Sequence, residues 1–180
     1  MKKNIFFLLV NFFILTSCNY VNNISSIESS SSTSIENEDE NTTFKSYYDY
    51  KNYVINLNDM FNQNEEEYAV YFYSEYCPAC YSLKDMLFNF LDNKNKCISL
   101  YLVDIGNTSI EDFDKLNNTN GLYEEEIFNY NMGVTNVDEL YFRTSPCIYF
   151  IKNIDDTNQI VNHYMKYQEV YDFLENNKYK

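Results

Sequence analysis

Cys77 and Cys80 are separated by Pro78 and Ala79. Two thiols at this spacing on a helix stand one turn apart, so one sulfur can attack a mixed disulfide formed on the other. A cysteine at a helix N-terminus meets the positive end of the helix dipole and unpaired backbone N–H groups, which favour thiolate over thiol. Cys77 is therefore the expected nucleophile and Cys80 the resolving cysteine. Pro78 lacks an N–H where the start of a helix needs none. A structural zinc site built from Cys77, Cys80, Cys147 and His163 is the chemical alternative, but such sites favour a second close pair and the sequence offers none.

The elements needed to position this pair can be read on either side of it. Tyr68–Tyr73 is a continuous apolar and aromatic run of strand length, suited to a strand covered on both faces. After the cysteines, Leu83, Leu87, Phe90 and Leu91 recur at helical spacing. Ile98–Val103 reads as a second buried strand, and strand, helix, strand in this order predicts a parallel crossover unit. Upstream, Tyr53–Leu57 is expected to form a short strand and Asn58 to cap a helix. Residues 107–142 are polar, with helical pieces expected at Glu111–Leu116 and Leu122–Tyr130. Cys147–Ile151 and Ile160–Tyr164 read as a strand pair joined by a turn over Asn153–Asn158, and an amphipathic helix follows from about Tyr167.

A buried strand leading directly into Cys77-x-x-Cys80 at the start of a helix resembles the thioredoxin superfamily over roughly residues 51–176. The resemblance implies an α/β thioredoxin-like fold: a central mixed β-sheet flanked by helices, with a helical insertion before a strand that begins at a cis-proline. The chain has only two prolines, Pro78 inside the motif and Pro146 ahead of the late strand. Thr144-Ser145-Pro146 resembles the family's cis-proline loop, which would set Ser145 and Pro146 beside Tyr76 and Pro78 as the walls of a substrate groove. The activity implied is thiol–disulfide exchange with protein partners, without a separate cofactor or metal. The alternative is a thioredoxin-fold binding lipoprotein, of the kind associated with bacteriocin export.

Several positions depart from the family pattern. Tyr71 stands where thioredoxins place a buried aspartate, with Glu75 the candidate substitute, and Tyr76 stands where tryptophan is common. The Pro-Ala interior is closer to glutaredoxin-like and oxidase-like motifs than to thioredoxin itself. Family potentials run from about −270 to about −120 mV, and two residues do not choose among them.

The N-terminus sets the expected compartment. Met1-Lys2-Lys3 precedes an apolar run, Ile5–Leu15, that is interrupted by Asn11 and short for a membrane span. Leu15-Thr16-Ser17-Cys18 resembles a bacterial lipobox, which implies acylation of Cys18 and attachment to the outer face of the cell membrane; an ordinary cleaved leader is the alternative. The expected organisation is a signal peptide over 1–17, a lipidated cysteine and flexible Ser/Asn/Glu-rich tether over 18–46, and one domain over 47–180 with its insertion at about 107–142. The formal charge is −14, which argues against nucleic acid as a partner. The partners expected are exported proteins bearing thiols or disulfides, together with a redox donor or acceptor.

The remaining residues have simpler readings. Cys97 and Cys147 should lie at opposite ends of the sheet, too far apart for a disulfide. Cys97 is expected to be a small buried hydrophobe. Cys147 is expected to be a core residue facing away from Pro146, with a third redox thiol as the alternative. His163 reads as a packed or surface residue and the many tyrosines as core or half-buried positions.

Overall fold

In a computed structural model, residues 45–178 are described; the leader, Cys18 and nearly all of the expected tether lie outside them. Strand β1, Glu67–Tyr73, is the apolar run expected to be central, and all but its first residue are buried. It leads into helix α1, Pro78–Asp92, which returns the chain to β2, Ser99–Asp104. β2 pairs with β1 in parallel, Tyr68 opposite Ser99 and Tyr73 opposite Asp104. β3, Cys147–Ile154, pairs with the other side of β1 antiparallel, and β4, Thr157–Tyr164, pairs antiparallel with β3. The order is therefore β2-β1-β3-β4, a mixed sheet.

Alternation along the strands divides the core into two layers. Ala69, Tyr71, Tyr73, Leu100, Leu102, Ile148 and Phe150 face one side, where they meet Leu83, Leu87 and Leu91 of α1 and Val170, Phe173 and Leu174 of helix α4, Tyr167–Asn176. Tyr68, Val70, Phe72, Cys147, Tyr149 and Ile151 face the other, covered by Leu57, Met60 and Phe61 and by Val134, Val137 and Leu140. α4 stops at Asn177, in the left-handed region with φ 51°. The Asn177 side chain accepts from the Cys97 N–H at 2.8 Å and donates to the Asn95 carbonyl at 3.0 Å, fastening the helix end to the approach to β2.

The insertion carries α2, Ile110–Phe113, and α3, Glu124–Asn131. Asn131 is fully buried; its side chain accepts from the Tyr141 N–H at 2.8 Å and donates to the Tyr141 carbonyl at 2.9 Å. That two-way clamp fixes the chain shortly before the Ser145–Pro146 peptide, which is cis. The segment also guards β4: the Gly133 N–H donates to the Ile160 carbonyl at 2.8 Å, and the Ile160 N–H donates to the Val134 carbonyl at 3.0 Å.

Strand order, pairing senses and helix placement are those of a thioredoxin-like α/β fold. Some local expectations need correction. Asn58 caps no helix; it lies within a single 3-10 turn, Leu57–Asp59, that follows Asn56, and its amide donates to Asp112 at 2.8 Å. Tyr53–Leu57 forms no strand beyond one bridge between Val54 and Leu102. The helix expected at Glu111–Leu116 is shorter, because the Lys115 and Leu116 N–H groups already make three-residue turns. The β3–β4 turn is tighter than expected, only Asp155 and Asp156 with φ 52° and 63°, so both strands run longer.

Candidate functional site

Cys77 sits at the junction where β1 hands over to α1, in extended conformation as the helix N-cap, with Pro78 as the first helical residue. The Cys77 N–H donates to the Ser74 carbonyl at 3.1 Å, and the Cys77 carbonyl accepts from the Tyr81 N–H at 3.0 Å. Its Sγ accepts from the Cys80 N–H at 3.2 Å, the role an N-cap side chain usually gives to an oxygen. On the other side the Cys77 thiol donates to the Ser145 carbonyl at 3.3 Å.

The two thiols differ electrostatically. Burial pushes the Cys77 pKa up, but hydrogen bonds from the Cys80 side chain and N–H, from the Ser145 side chain and from the Ala79 N–H outweigh it, and the net shift is downward. Cys80 is fully buried, and burial first, then the Cys77 side chain, pushes its thiol up to about 12. The arrangement therefore holds an ionisable, half-exposed sulfur in front of a protonated, buried one.

The other expected groove residues are distributed around this pair. Ser145 borders the Cys77 sulfur and Pro146, buried, follows it. Tyr76 is 84% exposed and Pro78 is exposed, so both face solvent beside the motif. Tyr81, also exposed, carries the Lys84 ammonium over its ring at 5.0 Å. Glu75 is exposed and cannot serve as a buried acid behind Cys80; that position belongs to Tyr71, fully buried.

Cys147 pairs with Phe72 in register and turns into the layer opposite Cys80, where burial pushes its thiol well up. It is a core residue, and the third-redox-thiol reading loses its geometric basis. Cys97 precedes Ser99, which pairs with Tyr68 at the far end of β1, so the two cysteines do lie at opposite ends. Contrary to expectation Cys97 is exposed, because it lies in the turn before β2. His163 is packed between Phe128 and Tyr149, at ring distances of 4.8 and 5.6 Å, away from the motif. Among the described residues no three His, Cys, Asp or Glu side chains converge as metal ligands, so the four residues of the zinc alternative are not brought together.

Two features escape sequence reasoning. Gly106, just past β2, lies so close to Ser74 that a Cβ there would stand 2.5 Å from the Ser74 Oγ. Tyr47, in the N-terminal 3-10 segment Tyr47–Tyr53, stacks on Tyr73 at 4.0 Å and joins Tyr71 in the layer that contains Cys80. Period-two alternation from Ala69 and Tyr73 is the signal that places Tyr71 on that face; nothing in the sequence brings Tyr47 there.

No family model matches this chain, and no curated protein matches it. Among solved structures, a Plasmodium falciparum thioredoxin is similar at 16% identity with a TM-score of 0.38, covering 67% of this chain and 78% of that one.

Proposed function

We propose that this chain is an extracytoplasmic thiol–disulfide oxidoreductase held to the cell membrane through a lipid on Cys18. The observation that carries the redox reading is the asymmetry of the cysteine pair: Cys77 Sγ at the helix start, accepting from the Cys80 N–H at 3.2 Å and favoured as thiolate, with the protonated Cys80 thiol buried one turn behind it. The Cys77 thiolate attacks one sulfur of a substrate disulfide and expels the other as a thiolate. Cys80 then attacks Cys77 Sγ, closing an internal disulfide and releasing the reduced substrate; the reverse sequence oxidises a dithiol. This exchange requires no separate cofactor. In this reading Ser145 and Pro146 form one wall of the substrate approach and the exposed Tyr76 and Pro78 the other, supported by the contact of the Cys77 thiol with the Ser145 carbonyl.

The compartment rests on the lipobox-like Leu15-Thr16-Ser17-Cys18, which would put the pair in a space where protein disulfides form and persist. Exported proteins with thiols or disulfides are then the partners. In the full chain, Cys77→Ser should abolish exchange with a model disulfide protein, whereas Cys80→Ser should accumulate a mixed disulfide through Cys77. Exchange that survives Cys77→Ser sinks the redox reading. Cys18→Ala should release the protein from membranes with exchange intact, and retention on the membrane removes the anchor.

A further inference from the structure

Two hydroxyls lie buried without any hydrogen-bond partner in the layer behind the cysteine pair, those of Tyr47 and Tyr71. Phenylalanine would fill the same space without an unmet polar group, so each hydroxyl calls for a reason. After burial itself, the strongest electrostatic influence on either hydroxyl is Cys80; Tyr71 also feels Tyr47 and, more weakly, Cys147 and Cys77.

Cys80 must lose its proton to attack Cys77, and it must do so in a buried place that opposes charge. The groups that chiefly act on it besides burial are Cys77, the Ser74 backbone and Ser145, none of them a carboxylate. Glu75 is exposed and acts on Tyr73; Asp104 acts on Tyr47 and Tyr73 while accepting from the Gly106 N–H at 3.0 Å and from the Asn107 amide at 2.6 Å. Burial keeps both phenols protonated, so they can give hydrogen bonds but cannot take the proton.

Taking the exchange chemistry proposed above as its premise, we propose that Tyr71 and Tyr47 are the hydrogen-bond donors that stabilise the Cys80 sulfur as a thiolate while it resolves the mixed disulfide. Their hydroxyls stand unpaired in the dithiol state and turn to the sulfur when negative charge appears on it. In the step itself the Cys77–substrate S–S bond breaks, the Cys77–Cys80 bond forms, the substrate sulfur takes the electron pair, and the proton given up by Cys80 ends on the departing substrate thiol.

The test uses the full chain with Cys18→Ser and Cys97→Ser, which removes the N-terminal cysteine and the exposed Cys97 thiol from the reaction. The dithiol form is mixed with 5,5′-dithiobis(2-nitrobenzoate), and two phases of coloured thiolate are followed: the first reports attack by Cys77, the second resolution by Cys80. Tyr71→Phe should leave the first phase unchanged, slow the second about tenfold and move its pH midpoint up by about one unit, as expected for one lost hydrogen bond to a charged sulfur. Tyr47→Phe should act in the same direction, and it decides the matter if Tyr71→Phe does not fold. Tyr68→Phe removes a hydroxyl that donates to the Met60 carbonyl at 2.8 Å in the opposite layer and should leave both phases alone, which separates this effect from a general loss of stability. A second phase that overlays on the parent at every pH in the tyrosine variants overturns the proposal while leaving exchange intact. A parent that releases no thiolate overturns the oxidoreductase reading, and this one with it.

Discussion

The thiol of Cys77 and the carbonyl of Ser145 meet at 3.3 Å, joining residues 68 positions apart in the chain. The same carbonyl accepts from the Thr144 hydroxyl at 3.2 Å, so the loop ahead of Pro146 is part of the surroundings of the sulfur as well as a wall beside it. The Ser145 side chain favours the charged form of both Cys77 and Cys80.

Ser145→Ala should therefore raise the Cys77 pKa, because it removes an interaction that favours thiolate over thiol. Alkylation by iodoacetamide, followed against pH, should show a higher midpoint and slower reaction at neutral pH. An unchanged midpoint would assign the whole shift to the Cys80 side chain and the N–H groups of the helix start.

Gly106→Ala should disturb the motif from outside it. The Ser74 Oγ that a new Cβ would press upon accepts from the Tyr76 N–H at 3.2 Å, and the Ser74 carbonyl accepts from the Cys77 N–H. Exchange slower by about two- to tenfold, with the melting temperature lowered by a few degrees, is expected from the displaced turn. Kinetics identical to the parent would show that Ser74 can move aside freely.

Burial holds the His163 pKa down at about 4 against an ordinary value near 6.5. The folded protein then binds fewer protons than the unfolded chain between these values, so this contribution is complete above pH 6.5 and is lost as pH falls toward 4. It amounts to about 2 kcal/mol between pH 8 and pH 5. Both ring nitrogens are buried without partners, and Glu124, Glu125, Lys166 and Glu169 line the adjoining cleft. His163→Phe should flatten the acid limb of stability by that amount in urea titrations at the two pH values; an equal drop in parent and variant would assign the limb to the carboxylates.

The Asp155-Asp156 turn holds two non-glycine residues at positive φ in a two-residue hairpin loop. Replacing the pair by Asn-Gly should raise stability by about 1 kcal/mol, read from the urea midpoint, since Asn-Gly adopts this turn with less strain.

How much of this was legible depended on how local the signal was. β1 stood out as an unbroken apolar run of strand length, and α1 and α4 because their apolar spacing matches the helical period, with burial following from it, as Tyr71, Leu83, Leu87 and Phe173 show. The side on which Cys147 lies followed from alternation. The region around Asn58 misled, since capping residues also make isolated turns, and only long-range contacts such as Asn58 to Asp112 decide between them. Cys97 misled because burial by residue type says nothing about a turn position. Within the site, the cysteine spacing was plain, but Tyr47 joins the layer that contains Cys80 through tertiary packing alone.

The backbone bonds that Gly133 and Val134 make to Ile160 have a consequence apart from redox chemistry. They occupy the middle of the outer edge of β4, where a bare strand would offer itself as a template for another copy to pair with. The segment that looks like an ornament on a minimal scaffold thus also works as a stopper against fibrous association, and it would do so even in a chain that had lost both of its motif thiols.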